Sequence, residues 1–206
     1  MAYTTETDTV TLESMVGPLM LDCPEPIVMQ ALRWAAIEFC ERTRLWANTQ
    51  TVTTSLSVAP LMPLDDATIT DVQDVRWSGK SLTPVSQREA ADLLQATPTG
   101  TPSVYFRPDL ETLTMAAAPD ASGTLSVTMI LAPTRTAKSI PVFLHAQHLD
   151  AIEAGARYRL MRMTNRPWFD PLWSDFRAQF EGLVGSYSIR ADKDGTRRPL
   201  RSTLNF

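Results

Sequence analysis

The sequence predicts an α+β protein: a helical bundle with a β module inserted after its first helix, and an extended C-terminal arm. Three observations predict it. Apolar residues recur at helical spacing over residues 27–46, alternate at period two among Thr, Val, Ser and Pro over 47–138, and return to helical spacing from 141 to 187. The expected division is 1–46 for an N-terminal segment and helix one, 47–138 for the β module, 139–189 for a helical hairpin that completes the bundle, and 190–206 for the arm.

In helix one the stripe is Val28, Leu32, Ala35, Phe39 and Trp46, one face of an α-helix. Pro24 and Pro26 suit its first turn, where a missing N–H does no harm, and Glu38 with Arg42 forms a favourable i,i+4 pair. Residues 1–21 carry no firm pattern.

In the module, alternation at 51–58, 68–77, 103–107, 113–116 and 125–131, broken by Pro, Gly and Asp, signals strands. Ser78-Gly79-Lys80 reads as a tight hairpin turn. Residues 86–96 read as a short second helix capped by Ser86, with Glu89 three residues on.

Helix three is expected over 141–163, opened by Pro141, with His145, Leu149, Ile152, Ala156, Leu160 and Met163 on one face. Thr164-Asn165-Arg166-Pro167 stops it. Asp170-Pro171 opens helix four, whose stripe is Trp173, Phe176, Phe180, Leu183 and Tyr187. A short loop between two such helices makes an antiparallel hairpin, and helix one is its natural third member. After Tyr187 the stripe fails. Arg190, Lys193, Arg197, Arg198 and Arg201 against Asp192 and Asp194 give residues 190–206 about +3, leaving about −7 on the rest of a chain whose formal charge is −4. Pro199-Leu200 and Leu204-Asn205-Phe206 place apolar groups in this basic arm, which a purely solvated tail does not need.

At 206 residues, 44% hydrophobic and 20% charged, the chain has material for one globular body with an inserted module. Its acidic balance, with a pI near 5.2, argues against a body that grips nucleic acid through clustered Lys and Arg. Cys23 and Cys40 match neither a redox motif nor a zinc set and read as reduced thiols. No apolar run approaches the roughly 18 residues of a membrane span, and the start, with Glu6 and Asp8, does not read as a signal peptide, so assembly in a cytosol is expected.

His145 and His148, i,i+3 on helix three, could share a metal with Asp150 or Glu153. A catalytic zinc needs three converging ligands, and Asp150 lies well round the helix from His145. The plainer reading puts one histidine in the helix interface and the other at its edge. No Gly-x-Ser-x-Gly elbow, Gly-x-Gly-x-x-Gly loop or Walker A loop occurs, so no catalytic, cofactor or metal site is assigned and no enzyme is expected. Asp65, Asp66, Asp71 and Asp74 read as solvated turns rather than a cation site. Trp34, Phe39, Trp46, Trp173, Phe176 and Phe180 sit at core spacing without interleaved Arg or Lys. They read as core, with one or two at a subunit boundary, and not as a stacking platform for single-stranded nucleic acid.

The strings ALRWAAIEFCERTRLW, SGKSLTPVS, GTPSVYF, LAPTRTAKSIPVFL, HLDAIEAGARYRLMRMTNRPWFDP and RRPLRSTLNF together resemble one phage family. It is the head-to-tail adaptor, the portal-binding connector or tail-tubular A type, of short-tailed and related phages. The resemblance covers about residues 22–206. It is most specific in the Ala-Ile-x-x-Gly-Ala stretch at 151–156, in Arg166-Pro167-Trp168 with Asp170-Pro171, and in Pro199-Leu200-Arg201. It implies a structural virion protein of the neck that forms a ring, commonly a dodecamer, beneath the portal. The implied partners are the portal protein, a downstream tail or nozzle protein, and further copies of the chain, with genomic DNA passing through the lumen and no membrane or cofactor involved. Arg190, Arg197, Arg198, Pro199, Leu200, Arg201, Leu204 and Phe206 are then the portal-binding arm, basic forks beside apolar anchors. The alternatives are another neck or tail-completion protein, a metal-dependent enzyme using His145 and His148, and a single-strand binder.

Overall fold

The computed structural model describes residues 9–15, 22–96 and 99–196. Among them are four α-helices, α1 (Glu25–Thr43), α2 (Gln87–Ala96), α3 (Val142–Met161) and α4 (Trp173–Thr196). The ten strands are β1 (Thr9–Thr11), β2 (Ala47–Thr54), β3 (Val58–Pro60), β4 (Ala67–Trp77), β5 (Lys80–Ser81), β6 (Thr83–Pro84), β7 (Val104–Phe106), β8 (Thr112–Met115), β9 (Gly123–Pro133) and β10 (Ser139–Pro141). The protein is mixed α+β. It divides into two compact units, one of residues 47–131 and one made from the segments on either side. Residues 132–138, expected in the module, group with the helical unit, where the Arg33 side chain donates to the Ala137 carbonyl at 2.7 Å and the Leu12 N–H to the Lys138 carbonyl, just before β10 pairs antiparallel with β1. Neither β1 nor the 3-10 turn Leu12–Met15 that follows it was legible in the sequence.

In the helical unit α1 packs on α3 and α4, and α3 on α4. α1 buries Val28, Ala31, Leu32, Ala35, Ala36, Phe39, Cys40 and Thr43, the expected stripe widened by its small neighbours. It stops earlier than expected. Arg44 adopts the left-handed conformation (φ 55°, ψ 26°) and its N–H donates to the Cys40 carbonyl at 2.9 Å, so the buried Trp46 lies beyond the helix.

α3 buries Ile152, Ala156 and Leu160 as expected, but upstream it buries Leu144 and His148 in place of His145 and Leu149. The cause is a kink. His148 has φ −135° and ψ 16°, outside the helical region, so the first turns present a face offset by one residue. Downstream, α3 ends at Met161, leaving Met163 half-buried in the turn.

α4 departs from its expected stripe. Phe180 and Val184 are buried, whereas Trp173, Phe176, Leu183 and Tyr187 are only half-buried. Near the start of α4 the Arg157 guanidinium of α3 lies 5.6 Å from the Phe176 ring centre. The three helices come closest at Gly155. A Cβ there would lie 2.9 Å from the Ala35 Cβ and 2.9 Å from two carbons of the Phe180 ring.

The β unit holds two four-stranded sheets, ordered β2-β9-β4-β5 and β3-β8-β7-β6. β2 and β9 run antiparallel from Ala47↔Ile130 to Thr54↔Gly123, and β9 turns Leu125, Val127, Met129, Ile130 and Leu131 into the core. The expected tight turn is present: Ser78 (φ 47°) and Gly79 (φ 83°) join Trp77 to its partner Lys80. The expected cap is also present, the Ser86 hydroxyl accepting the Glu89 N–H at 3.3 Å. α2 lies between β6 and β7, which pair parallel, as a crossover helix must allow.

Candidate interaction surfaces

Of the eight arm residues, only Arg190 falls within the described chain, and it is helical rather than extended, because α4 continues through Thr196. Arg197, Arg198, Pro199, Leu200, Arg201, Leu204 and Phe206 lie outside the described residues. Tyr187, near the end of the described α4 side chains, packs on α1 and α3. Its ring stands edge-on to His148 at 4.5 Å and to Phe39 at 5.8 Å, and two residues on Ile189 is 52% exposed.

That aromatic cluster accounts for the histidines. His148 is buried between Phe39 (5.3 Å), Phe143 (6.3 Å) and Tyr187, and His145 is half-buried one turn earlier. Among the described residues no group of three or more His, Cys, Asp and Glu stands close enough to hold a metal ion. Asp71 and Asp74, expected in solvated turns, lie instead within β4, where they have basic or hydroxyl partners. Asp74 accepts from Arg76 at 2.6 Å and from Ser81 at 3.1 Å, and Asp71 stands 4.0 Å from Arg107.

A chain of charges ties the three long helices together. Glu38 accepts from Arg42 at 3.1 Å and from Arg159, while Arg42 also donates to Glu181 at 2.5 Å. Arg159 is largely covered, with its guanidinium 4.6 Å from Tyr158 and 5.6 Å from Phe180. The Arg42 hydrogen bond holds the Glu181 carboxyl below the usual carboxylate range. Burial, with Glu41 adding to it, pushes the Cys40 thiol far up, out of reach of ionisation at neutral pH.

Two surface features remain. On α1, Trp34 is 45% exposed, which corrects its assignment to the core: it lies off the Val28–Leu32–Ala35–Phe39 face and lines an open groove of about 520 Å³ with Ile37, Glu38, Glu41 and Arg135. The second is the turn between α3 and α4. Asn165 takes a left-handed conformation (φ 63°), the Phe169 N–H donates to the Arg166 carbonyl at 3.0 Å, and the Asp170 N–H donates back to the Met161 carbonyl at 3.1 Å. The Asp170 carboxylate accepts the Leu172 N–H at 2.8 Å and starts α4. These bonds pin a turn that holds Phe169 and Leu172 at 43% and 54% exposure, with Pro167 and Pro171 also exposed. Trp168 is buried beside them, its indole Nε1–H has no acceptor, and the Arg166 guanidinium sits 5.8 Å from its ring.

Exposed aromatic and aliphatic side chains held on a hydrogen-bonded turn, beside arginines, are the makings of a protein-binding protein. The chain belongs to the SU10 adaptor protein family, whose model matches residues 5–203. It is therefore a phage structural adaptor, a component of the virion that interacts with other head or tail proteins. No curated protein sequence matches the chain. No helix among the described residues is long and apolar enough to cross a membrane.

Proposed function

We propose that the protein is a head-to-tail adaptor of the virion neck. It forms a ring on the portal, dodecameric by its resemblance to connector proteins, and joins the portal to a downstream tail or nozzle protein. The bundle of α1, α3 and α4 is the body of each subunit, and the residues after α4 are the arm that lies in a portal groove. The observation that carries this reading is the charge division in a chain of the adaptor family. The segment 190–206 carries about +3, against about −7 on the rest. Arg197, Arg198 and Arg201 bracket Pro199 and Leu200, so basic forks stand beside an apolar anchor, a pattern suited to an acidic, apolar-floored groove. Ring closure is a heterologous contact repeated by rotation, for which the portal is the template. An acidic body suits DNA passing through the lumen without being held.

Removing residues 197–206 tests the reading. α4 and everything before it remain, so the helical unit should stay folded while portal binding is lost and packaged heads leak their DNA. Portal binding at unchanged affinity would refute it. Arg197→Glu with Arg198→Glu should weaken binding in a salt-sensitive way, and Phe206→Ala with little salt dependence.

A further inference from the structure

We propose that the α3–α4 turn is a second docking site, which takes a partner protein segment bearing a carboxylate between apolar side chains. The site is separate from the arm, and the proposal does not depend on the arm binding the portal.

Three observations converge on that chemistry. Arg162 and Arg166 are exposed at the rim, and neither has a carboxylate partner among the described residues. Each lies only over a neighbouring ring, 6.0 Å from Tyr158 and 5.8 Å from Trp168. A guanidinium so placed is a planar fork free to take a carboxylate. Next, Pro167, Phe169 and Leu172 are exposed in a turn whose one buried side chain is Trp168, so three apolar groups stand uncovered beside it. Third, the Trp168 ring is 9% exposed and its N–H lacks an acceptor. A buried donor without a partner costs folding free energy, and a partner that brings a carboxylate or carbonyl oxygen to the Nε1 edge of the indole would remove that cost on binding.

The turn is also rigid enough to bind without much ordering. Its backbone bonds to Arg166, Asp170 and Met161 are already made, so little loop entropy is lost when a partner arrives. Nucleic acid fits less well. Two arginines neutralise few phosphates, and the Trp168 ring that might stack a base is already covered.

The test follows the Trp168 indole N–H by proton–nitrogen NMR on the full chain, its peak assigned among the five tryptophans by Trp168→Phe. The probe is the capped peptide Asp-Leu-Asp-Phe-Asp, with Asn-for-Asp and Lys-for-Asp versions and a short single-stranded oligonucleotide as comparisons. The Asp peptide should move the Trp168 peak downfield and saturate at about 1 mM or below. The Asn version should bind at least tenfold more weakly, and Arg162→Glu with Arg166→Glu should lose at least tenfold for the Asp peptide. Phe169→Ala, at an exposed position, should weaken binding equally at low and high salt, and it reads the same contact if the double arginine variant does not fold. The chain cut after Thr196 should bind the peptide as the full chain does, which keeps this result apart from that of the portal test. An unmoved Trp168 peak, equal binding of the Lys peptide or the oligonucleotide, or unchanged affinity in both sets of variants would each overturn the proposal.

Discussion

Gly155→Ala should destabilise the helical unit, although the same change elsewhere in these helices should stabilise it. In an exposed helix interior, Gly→Ala is worth roughly 0.5–1 kcal/mol, because alanine has less backbone freedom to lose. Gly182 and Gly185 on α4 are such positions: both are exposed, and an added Cβ would meet nothing within 4 Å. At Gly155 the same methyl would lie 2.9 Å from the Ala35 Cβ and 2.9 Å from the Phe180 Cδ2 and Cε2. Neither neighbour can yield cheaply. The Ala35 Cβ moves only with α1 itself, and Phe180 is fully buried with Tyr158 at 5.8 Å on one side. Overpacking of this kind costs about 1–3 kcal/mol, which outweighs the propensity gain and leaves a net loss of about 1 kcal/mol. Urea unfolding followed by helical circular dichroism reads all three variants against the parent. For a chain of this size 1 kcal/mol corresponds to a shift of about 2–4 °C in melting temperature. If Gly155→Ala raises stability as much as Gly182→Ala does, the close approach of the three helices is misplaced and the argument fails.

Phe180→Ala should cost about 3–5 kcal/mol because the whole ring is buried, and Phe176→Ala only about 1–2 kcal/mol because its ring is partly exposed; equal losses would put the wrong face of α4 inside. Glu181 has its folded pKa lowered by Arg42, so its contribution is present at neutral pH and is lost as pH falls through the folded value. Glu181→Gln should therefore flatten the acid limb of a urea-midpoint titration; both partners are exposed, so the effect stays under about 1 kcal/mol, and an unchanged limb would show that the pair carries no stability. In maleimide labelling of the native protein Cys23 should react first, while Cys40, fully buried and with its thiol pushed up, should react only at the unfolding rate; prompt labelling of both would contradict the packing of α1.

The helices were legible to different degrees, for physical reasons. The buried face of α1 could be read along its length, though not its end, because the helix is covered from Val28 to Thr43 and the apolar period and the buried face coincide. α3 could be read only below His148, since a backbone kink leaves no mark on side-chain period and yet turns the upstream face by one residue. In α4 the size of Trp173 and Phe176 was taken for burial, but burial depends on what stands opposite, and there α3 is ending. The sequence did carry the signal that Trp34 faces out, because it falls off the stripe that its own helix defines. In the β unit four of the five expected strands, the Ser78-Gly79 turn and the Ser86 cap were legible because each rests on local chemistry; the expected 51–58 run instead splits at a bend over 55–57 into β2 and β3. The pairing of β1 with β10 joins residues far apart in sequence and was not.

The site was legible in a different way. The basic arm shows itself in composition alone, whereas the α3–α4 turn depends on tertiary facts: that Trp168 is buried, that Arg166 covers it, and that Phe169 is not covered. A clue was present even so, since Arg166-Pro167-Trp168-Phe169-Asp170-Pro171 places large apolar groups between prolines in a segment that cannot join a helix stripe. The two proposed surfaces flank one element in the sequence. α4 has 24 residues and so rises about 36 Å, with the turn before its first residue and the proposed arm residues following its last in sequence. Sites that far apart, with no shared side chains, should act independently. If both proposed surfaces bind, a single helix between them lets one contact be lost without weakening the other. Combining Phe169→Ala with removal of 197–206 should therefore give losses that add, and a strong departure from additivity would mean that the two ends serve one partner.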